Sequence, residues 1–148
     1  MAEPTDRHDE GPPSIDRFVL EAVRDRLRTA AQFRSVAIVD HEPPTRLEAT
    51  FDPDRDPPGL ERRFLDVRWY TSDDFRIHYQ EEWRDWNWRA RWDRHPSTHN
   101  ARDHFHPPPD ARTPGDDRSW PDDFRDVFAL VLSFLADRDL AVWDDVDR

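Results

Sequence analysis

The segment Trp83–Pro109 reads WRDWNWRARWDRHPSTHNARDHFHPPP. Trp86, Trp88, Ala90 and Trp92 alternate with Asn87, Arg89, Arg91 and Asp93. Successive side chains of a strand point to opposite faces, so this spacing predicts a half-buried strand with a polar side. His95, His99, His104 and His106 follow in close order. The segment holds more than half of the seven tryptophans and seven histidines of the chain. A buried strand running into a loop of His, Asp and Arg is a natural place for a reactive site.

Working outward, the same period of two governs the preceding residues. Leu65, Val67 and Trp69 alternate with Asp66, Arg68 and Tyr70. After a turn at Thr71–Asp74, Phe75, Ile77, Tyr79 and Trp83 alternate with Arg76, His78, Gln80 and Glu82. A tight Arg84-Asp85 connection joins this strand to the next. The three strands predict a meander with an apolar wall on one face and Arg68, Arg76, His78, Arg89 and Arg91 on the other. Shorter strands are expected at Arg34–Asp40, Leu47–Phe51 and Asp103–His106, the last ended by Pro107, Pro108 and Pro109. Residues 52–59 and 110–118 read as loops.

Two helices flank the strands. Ser14 is placed to cap a helix over Ile15–Ala31, with Phe18, Val19, Ala22, Val23, Leu27 and Ala30 on one stripe. Ser119, Pro121 and Asp122 give the start signals of a second, whose stripe is Phe124, Val127, Phe128, Val131 and Leu135. Leu130, Leu132 and Phe134 widen that stripe, which raises the expectation of a homodimer or partner contact through this helix. The fold class expected is α+β: an antiparallel β-meander of about 4–6 strands with an N-terminal and a C-terminal helix packed on one face. The 148 residues are expected to form a single domain, with residues 1–13 a flexible tail and 14–137 the folded core.

Composition narrows the setting. The chain has no lysine and 22 arginines, against 33 Asp and Glu, for a net charge of −11. Only 35% of residues are apolar and 37% are charged. Such values usually signal disorder, but nine Phe and seven Trp argue for a packed core. Acidic, lysine-free surfaces keep proteins hydrated in brine, so a haloarchaeal source is expected. Residues 61–112 are the exception, with 10 Arg and 10 acids. A neutral, arginine-rich centre fits contact with an anion, or a buried sheet with little room for aspartate. There is no cysteine, hence no disulfide framework or thiolate metal site. No signal-peptide pattern and no membrane-spanning apolar run is seen, so the protein is expected to be cytoplasmic with no membrane partner.

Histidine takes and gives protons near neutral pH. Cleaving RNA without metal needs a base for the 2′-hydroxyl, an acid for the leaving 5′-oxygen and a cation for the phosphorane. His104 and His106 lie at i and i+2, on one side of a strand, and fit acid and base. His95 and His99 could assist, Asp93 could orient a histidine, and Arg89 and Arg91 could hold phosphate, with Arg68, Arg76, His78 and Tyr70 further along the polar face. No cofactor is expected on this reading. The alternative is a divalent metal held by His95, His99, His104 and His106, with Asp93 in reach. The tryptophans fit core packing better than base stacking.

The order of these features resembles the TumE family of prokaryotic toxin–antitoxin proteins. The resemblance runs from about Leu65 to Leu135. It is carried by Arg91, Trp92, Asp93, His95, Pro96 and His99, then by His104 and His106. The family pattern reads R-W-D-N-x-P-H-H with a later H-H-x-H; here Arg94 stands at the Asn position and His95 precedes the proline. Asp93, His104 and His106 match most directly. The resemblance implies a toxin with a cognate antitoxin, and RNA as a candidate target. Three readings follow: a metal-independent endoribonuclease toxin, a non-enzymatic protein-binding component of such a module, or a metal-dependent hydrolase.

Overall fold

The computed structural model describes residues 14–146; the expected tail over 1–13 lies outside them. Helix α1 (Arg17–Arg28) is followed by strands β1 (Phe33–Val39), β2 (Arg46–Phe51), β3 (Leu60–Trp69), β4 (Phe75–Trp83), β5 (Asn87–Arg94), β6 (Asp103–His106) and β7 (Asp116–Asp117). Helix α2 (Phe124–Ala141) closes the chain, with one 3-10 turn after it at Val142–Asp145 and another between β2 and β3 at Pro53–Arg55. The seven strands form one antiparallel sheet in sequence order, each paired with the next. This is the expected α+β meander, with one more strand than the range foresaw. The extra strand is β7, an Asp-Asp pair in a stretch expected to be loop; acidic residues carry no strand signal, and only pairing with β6 extends them.

Alternation sorts the side chains. Leu47, Ala49, Phe51, Leu65, Val67, Trp69, Phe75, Ile77, Tyr79, Ala90 and Trp92 are buried together with Val19, Leu20, Val23 and Leu27 of α1 and Val127, Phe128, Val131 and Leu135 of α2. Both helices therefore cover one face of the sheet. Trp83 and Trp92 are buried, and Trp88 packs edge-on to Tyr79 and against Phe134, as core tryptophans do. Trp86 falls in the β4–β5 turn, and its ring stacks on Trp83 at 4.8 Å between centroids. Leu130 of α2 is exposed, as are Leu140, Trp143 and Val146 at its C-terminal end.

The helix starts differ from the sequence expectation. Asp16 caps α1, its carboxylate accepting from the Val19 N–H at 3.2 Å. Ser14 instead lends its carbonyl to the Thr71 N–H, and Ile15 bridges Tyr70. Asp123 caps α2, accepting from the Arg125 N–H at 2.9 Å. The chain over Ser119–Pro121 is not free to begin that helix, because the Arg94 guanidinium holds the carbonyls of Trp120 and Pro121 at 3.0 and 2.9 Å.

One charged cluster is buried on the helix side. Glu81 is fully buried and receives both nitrogens of Arg138 from α2, at 2.6 and 2.7 Å. Its oxygens also accept from the Tyr79 hydroxyl at 2.6 Å and the Trp83 indole at 2.9 Å. Burial beside this carboxylate pushes the Tyr79 hydroxyl pKa well up, so it stays a donor. Arg63 extends the cluster to Asp56 and Asp139, and Arg138 also reaches Asp145. The α2–sheet interface is thus pinned by a satisfied ion network within an apolar core.

Removing one partner of a buried pair strands the other. Glu81→Ala should therefore lower the unfolding free energy by about 3–5 kcal/mol. The double variant Glu81→Leu/Arg138→Met should recover much of that loss; chemical denaturation of both proteins checks the difference.

Candidate functional site

The opposite face of the sheet carries the other parity of residues. Strand register aligns them in rows. Arg68 lies opposite Arg76, Arg76 opposite Asp93, Asp93 opposite His104, and His104 opposite Asp117. The adjoining row runs Asp66, His78, Arg91, His106. A third places Gln80 against Arg89. Phe64, Asp66, Arg68, Arg76 and His78 line a shallow depression on this face.

The arginines here crowd one another. Arg76 is exposed, with its pKa lowered first by partial burial and then by the neighbouring Arg91 charge. The Nε atoms of Arg68 and Arg89 are buried without a hydrogen-bond partner among the described residues. Like charges with unused donors form a surface suited to an anion. His78 is half-buried, bonded to Gln80 at 3.0 Å, with its pKa lowered by burial. Tyr70 sits past the end of β3, where its N–H closes the turn to Asp74.

At the β5–β6 end of this face the histidines meet. Asp93 is fully buried, and its Oδ2 is the meeting point. The Nε2 atoms of His106, His95 and His104 lie 3.2, 3.3 and 3.4 Å from it. Arg91 Nε donates to the same oxygen at 2.9 Å. Asp93 Oδ1 is buried and accepts no hydrogen bond among the described residues. His104 and His106 are 1% and 3% exposed, whereas the His95 side chain is 43% exposed and forms the open edge of the cluster. Burial lowers the His106 pKa, which favours the neutral ring.

Backbone carbonyls set the ring orientations. Nδ1 of His104 is 2.8 Å from the Ala101 carbonyl, Nδ1 of His106 is 2.7 Å from that of Arg112, and Nδ1 of His95 is 2.8 Å from that of Pro96. A carbonyl only accepts, so each Nδ1 carries the proton and each Nε2 of a neutral ring presents its lone pair.

The loops that supply these carbonyls are themselves fixed. Asn100 donates to the Gly115 carbonyl at 2.7 Å and accepts from the Gly115 N–H at 2.9 Å. A Cβ on Gly115 would lie 2.5 Å from the Phe105 carbonyl oxygen and 3.2 Å from His106 Nδ1, so only glycine fits. Arg94 bonds Asp103 across the β5–β6 pair, and the Trp120 indole donates to the Asp93 carbonyl at 2.9 Å. None of Asn100, Gly115, Arg94 or Trp120 was expected from sequence to serve the site. The Asn…Gly pairing spans fifteen positions, and no local pattern marks it.

Of the expected site residues, the structure brings together Asp93, His95, His104, His106 and Arg91, with Arg76 next in register. Arg68, Arg89, His78 and Tyr70 lie further along the strands. His99 stands apart: it is exposed in the 96–102 loop, where its N–H bonds Ser97 Oγ, and it has no contact with the cluster among the described residues.

A one-sided antiparallel sheet with an arginine-lined polar face and a His/Asp centre defines a small α+β protein. Residues 17–139 match the family model described as Toxin TumE, and the chain belongs to that family. It is thus a toxin of a toxin–antitoxin system, and an antitoxin is its implied partner. No curated protein and no solved structure matches the chain. Among the described residues, no helix is long and apolar enough to cross a membrane.

The loop contacts are open to a direct check. Gly115→Ala should cost roughly 1–3 kcal/mol, because the added methyl meets backbone rather than a flexible side chain. Asn100→Ala should loosen the same loop, and hydrogen exchange at the Gly115 amide should rise in that variant while α2 amides stay protected.

Proposed function

We propose that this toxin acts on RNA as an endoribonuclease, using the open face of its sheet. The observation that carries the reading is the convergence of three imidazole Nε2 atoms on the buried Asp93 carboxylate, on a face that also carries Arg68, Arg76, Arg89 and Arg91. Phosphodiester cleavage needs cations where charge develops and groups that move protons to and from oxygen. Arg76, Arg89 and Arg91 are the candidates to hold the phosphate. His104 and His106 are held in one tautomer by backbone carbonyls, with both Nε2 atoms turned to Asp93. His95, the exposed member, is the route by which protons exchange with solvent. The strong net negative charge elsewhere would repel an RNA backbone, so docking is confined to this face.

A second reading rests on the burial of His104 and His106, which limits their direct contact with a substrate. On it, the same face holds RNA or protein without cutting. Induced expression in a salt-tolerant prokaryotic host, scoring growth and RNA integrity together, separates the two. The ribonuclease reading expects arrest with fragmented RNA from the wild type, and neither from His104→Ala/His106→Ala at equal folded protein. Arrest with intact RNA would instead establish the binding reading, and normal growth at confirmed expression would remove both. Arg76 is exposed, so Arg76→Ala should fold normally and slow cleavage by roughly tenfold, the worth of one charged hydrogen bond; rates on a purified RNA substrate check this.

A further inference from the structure

We propose that Asp93, His104 and His106, with His95 as a fourth donor, bind one divalent transition-metal ion of the zinc type. The inference stands on the geometry of the cluster and goes beyond the RNA reading.

Hydrogen bonding within the protein leaves the cluster unresolved. With Nδ1 protonated against the carbonyls of Ala101 and Arg112, neutral His104 and His106 aim lone pairs at a carboxylate oxygen that also has only lone pairs to offer. Protonating both rings instead would aim two further N–H donors at the one oxygen that Arg91 Nε already occupies at 2.9 Å, and would leave Asp93 Oδ1 without a donor. A cation placed between the donors satisfies every lone pair with a single centre.

The distances agree. Charge-assisted N–H···O bonds run at about 2.7–2.9 Å. The three Nε2–Oδ2 separations are 3.2, 3.3 and 3.4 Å. Donors set tetrahedrally about an ion with bonds of about 2.0–2.1 Å stand about 3.3 Å from each other. The Asp93, His104 and His106 donor atoms all lie within 4.8 Å of one another, and all three residues are buried. Asp93 Oδ1, buried and without a partner, offers a second point of attachment.

The surroundings are those of a ligand shell. Metal-binding histidines pass their other N–H to a carbonyl or carboxylate, which fixes the tautomer and the ring plane. Here all three rings do so, to Pro96, Ala101 and Arg112. Asn100 and Gly115 hold the loops that carry two of those carbonyls in place against each other. Nitrogen donors with one carboxylate and no thiolate suit zinc, iron, cobalt or nickel rather than magnesium or calcium. His95, on the exposed edge, is the position where a water or substrate oxygen could share the ion.

The test is zinc binding by the purified full chain after stripping with chelator. Dialysis against zinc chloride followed by elemental analysis should give one equivalent per chain, and the melting temperature should climb with free zinc. His99→Ala should bind as the wild type does. Asp93→Asn and His106→Gln should weaken binding by roughly a hundredfold or more, since even the loss of an outer hydrogen bond can cost up to about that factor. Should either buried variant fail to fold, long-range 1H–15N spectra of the wild type decide: zinc must shift the Nε2 signals of His104 and His106. Sub-stoichiometric zinc with an unchanged melting temperature would overturn the proposal. So would binding that survives in folded Asp93→Asn and His106→Gln, or that perturbs only His99. Zinc uptake and RNA cleavage are read separately, so the ribonuclease reading can fail while this one stands.

Discussion

A sheet covered on one face only must do opposite things with alternate residues, and this constraint organises the whole molecule. Along β3, β4 and β5 every second side chain enters the helix-covered core, and every other one is left for a polar face. The aromatic parity of β5 places Ala90 and Trp92 beneath α2. By the same step it places Arg89, Arg91 and Asp93 on the far side. A one-residue slip between β4 and β5 would bury the arginines and expose the tryptophans, so packing of the core fixes the register of the site. The functional face is thus held by the hydrophobic face behind it.

Among the described residues Glu81 and Asp93 are the carboxylates buried to completion, and they contrast with each other. Glu81 is saturated. Each oxygen has matched donors between 2.6 and 2.9 Å, from Arg138, Tyr79 and Trp83, and the result is a structural clamp. Asp93 is buried as deeply but left unfinished: among the described residues Oδ1 accepts no hydrogen bond, and Oδ2 accepts from Arg91 at 2.9 Å and faces three imidazole nitrogens at longer range. Proteins do not retain a half-satisfied buried charge for stability, since desolvation makes it costly. Incomplete satisfaction of a buried carboxylate marks Asp93 as a candidate position for a ligand or a reaction.

Much of this was legible in the chain. The period of two, the aromatic parity and the helical stripes give the α+β meander, and His104 and His106 at i and i+2 must share a face. His95 shares the parity of Asp93 and stays beside the sheet because its N–H bonds the Arg102 carbonyl, whereas His99 lies five residues beyond Arg94, the last regularly paired residue of β5. Separating these two from sequence would have required knowing where β5 stops. Glu81 was missed for a different reason. It interrupts an apolar face between Tyr79 and Trp83, and its partner Arg138 lies 57 residues away. The caps were displaced by Arg94 and by the Ser14–Thr71 bond, long-range contacts that outweigh local capping signals. The resemblance placed an Asn at the position of Arg94. In this chain that arginine fastens β5 to β6 and to the segment before α2, so the departure adds a fixture to the site's frame.

The charge distribution takes on a structural meaning with the fold in place. The acidic excess of the sequence lies outside residues 61–112. The neutral middle supplies β3 to β6, whose polar parity is the open face. That face gathers Arg68, Arg76, Arg89 and Arg91, which would draw an anion to it. The same arrangement would suit an acidic antitoxin segment as well as a phosphate backbone, because both present anions to arginine. A partner that occupied the arginines and covered the exposed edge at His95 would block the proposed activity without distorting the fold. The buried half of the cluster would stay intact beneath such a cover, so inhibition of this kind is reversible by release alone.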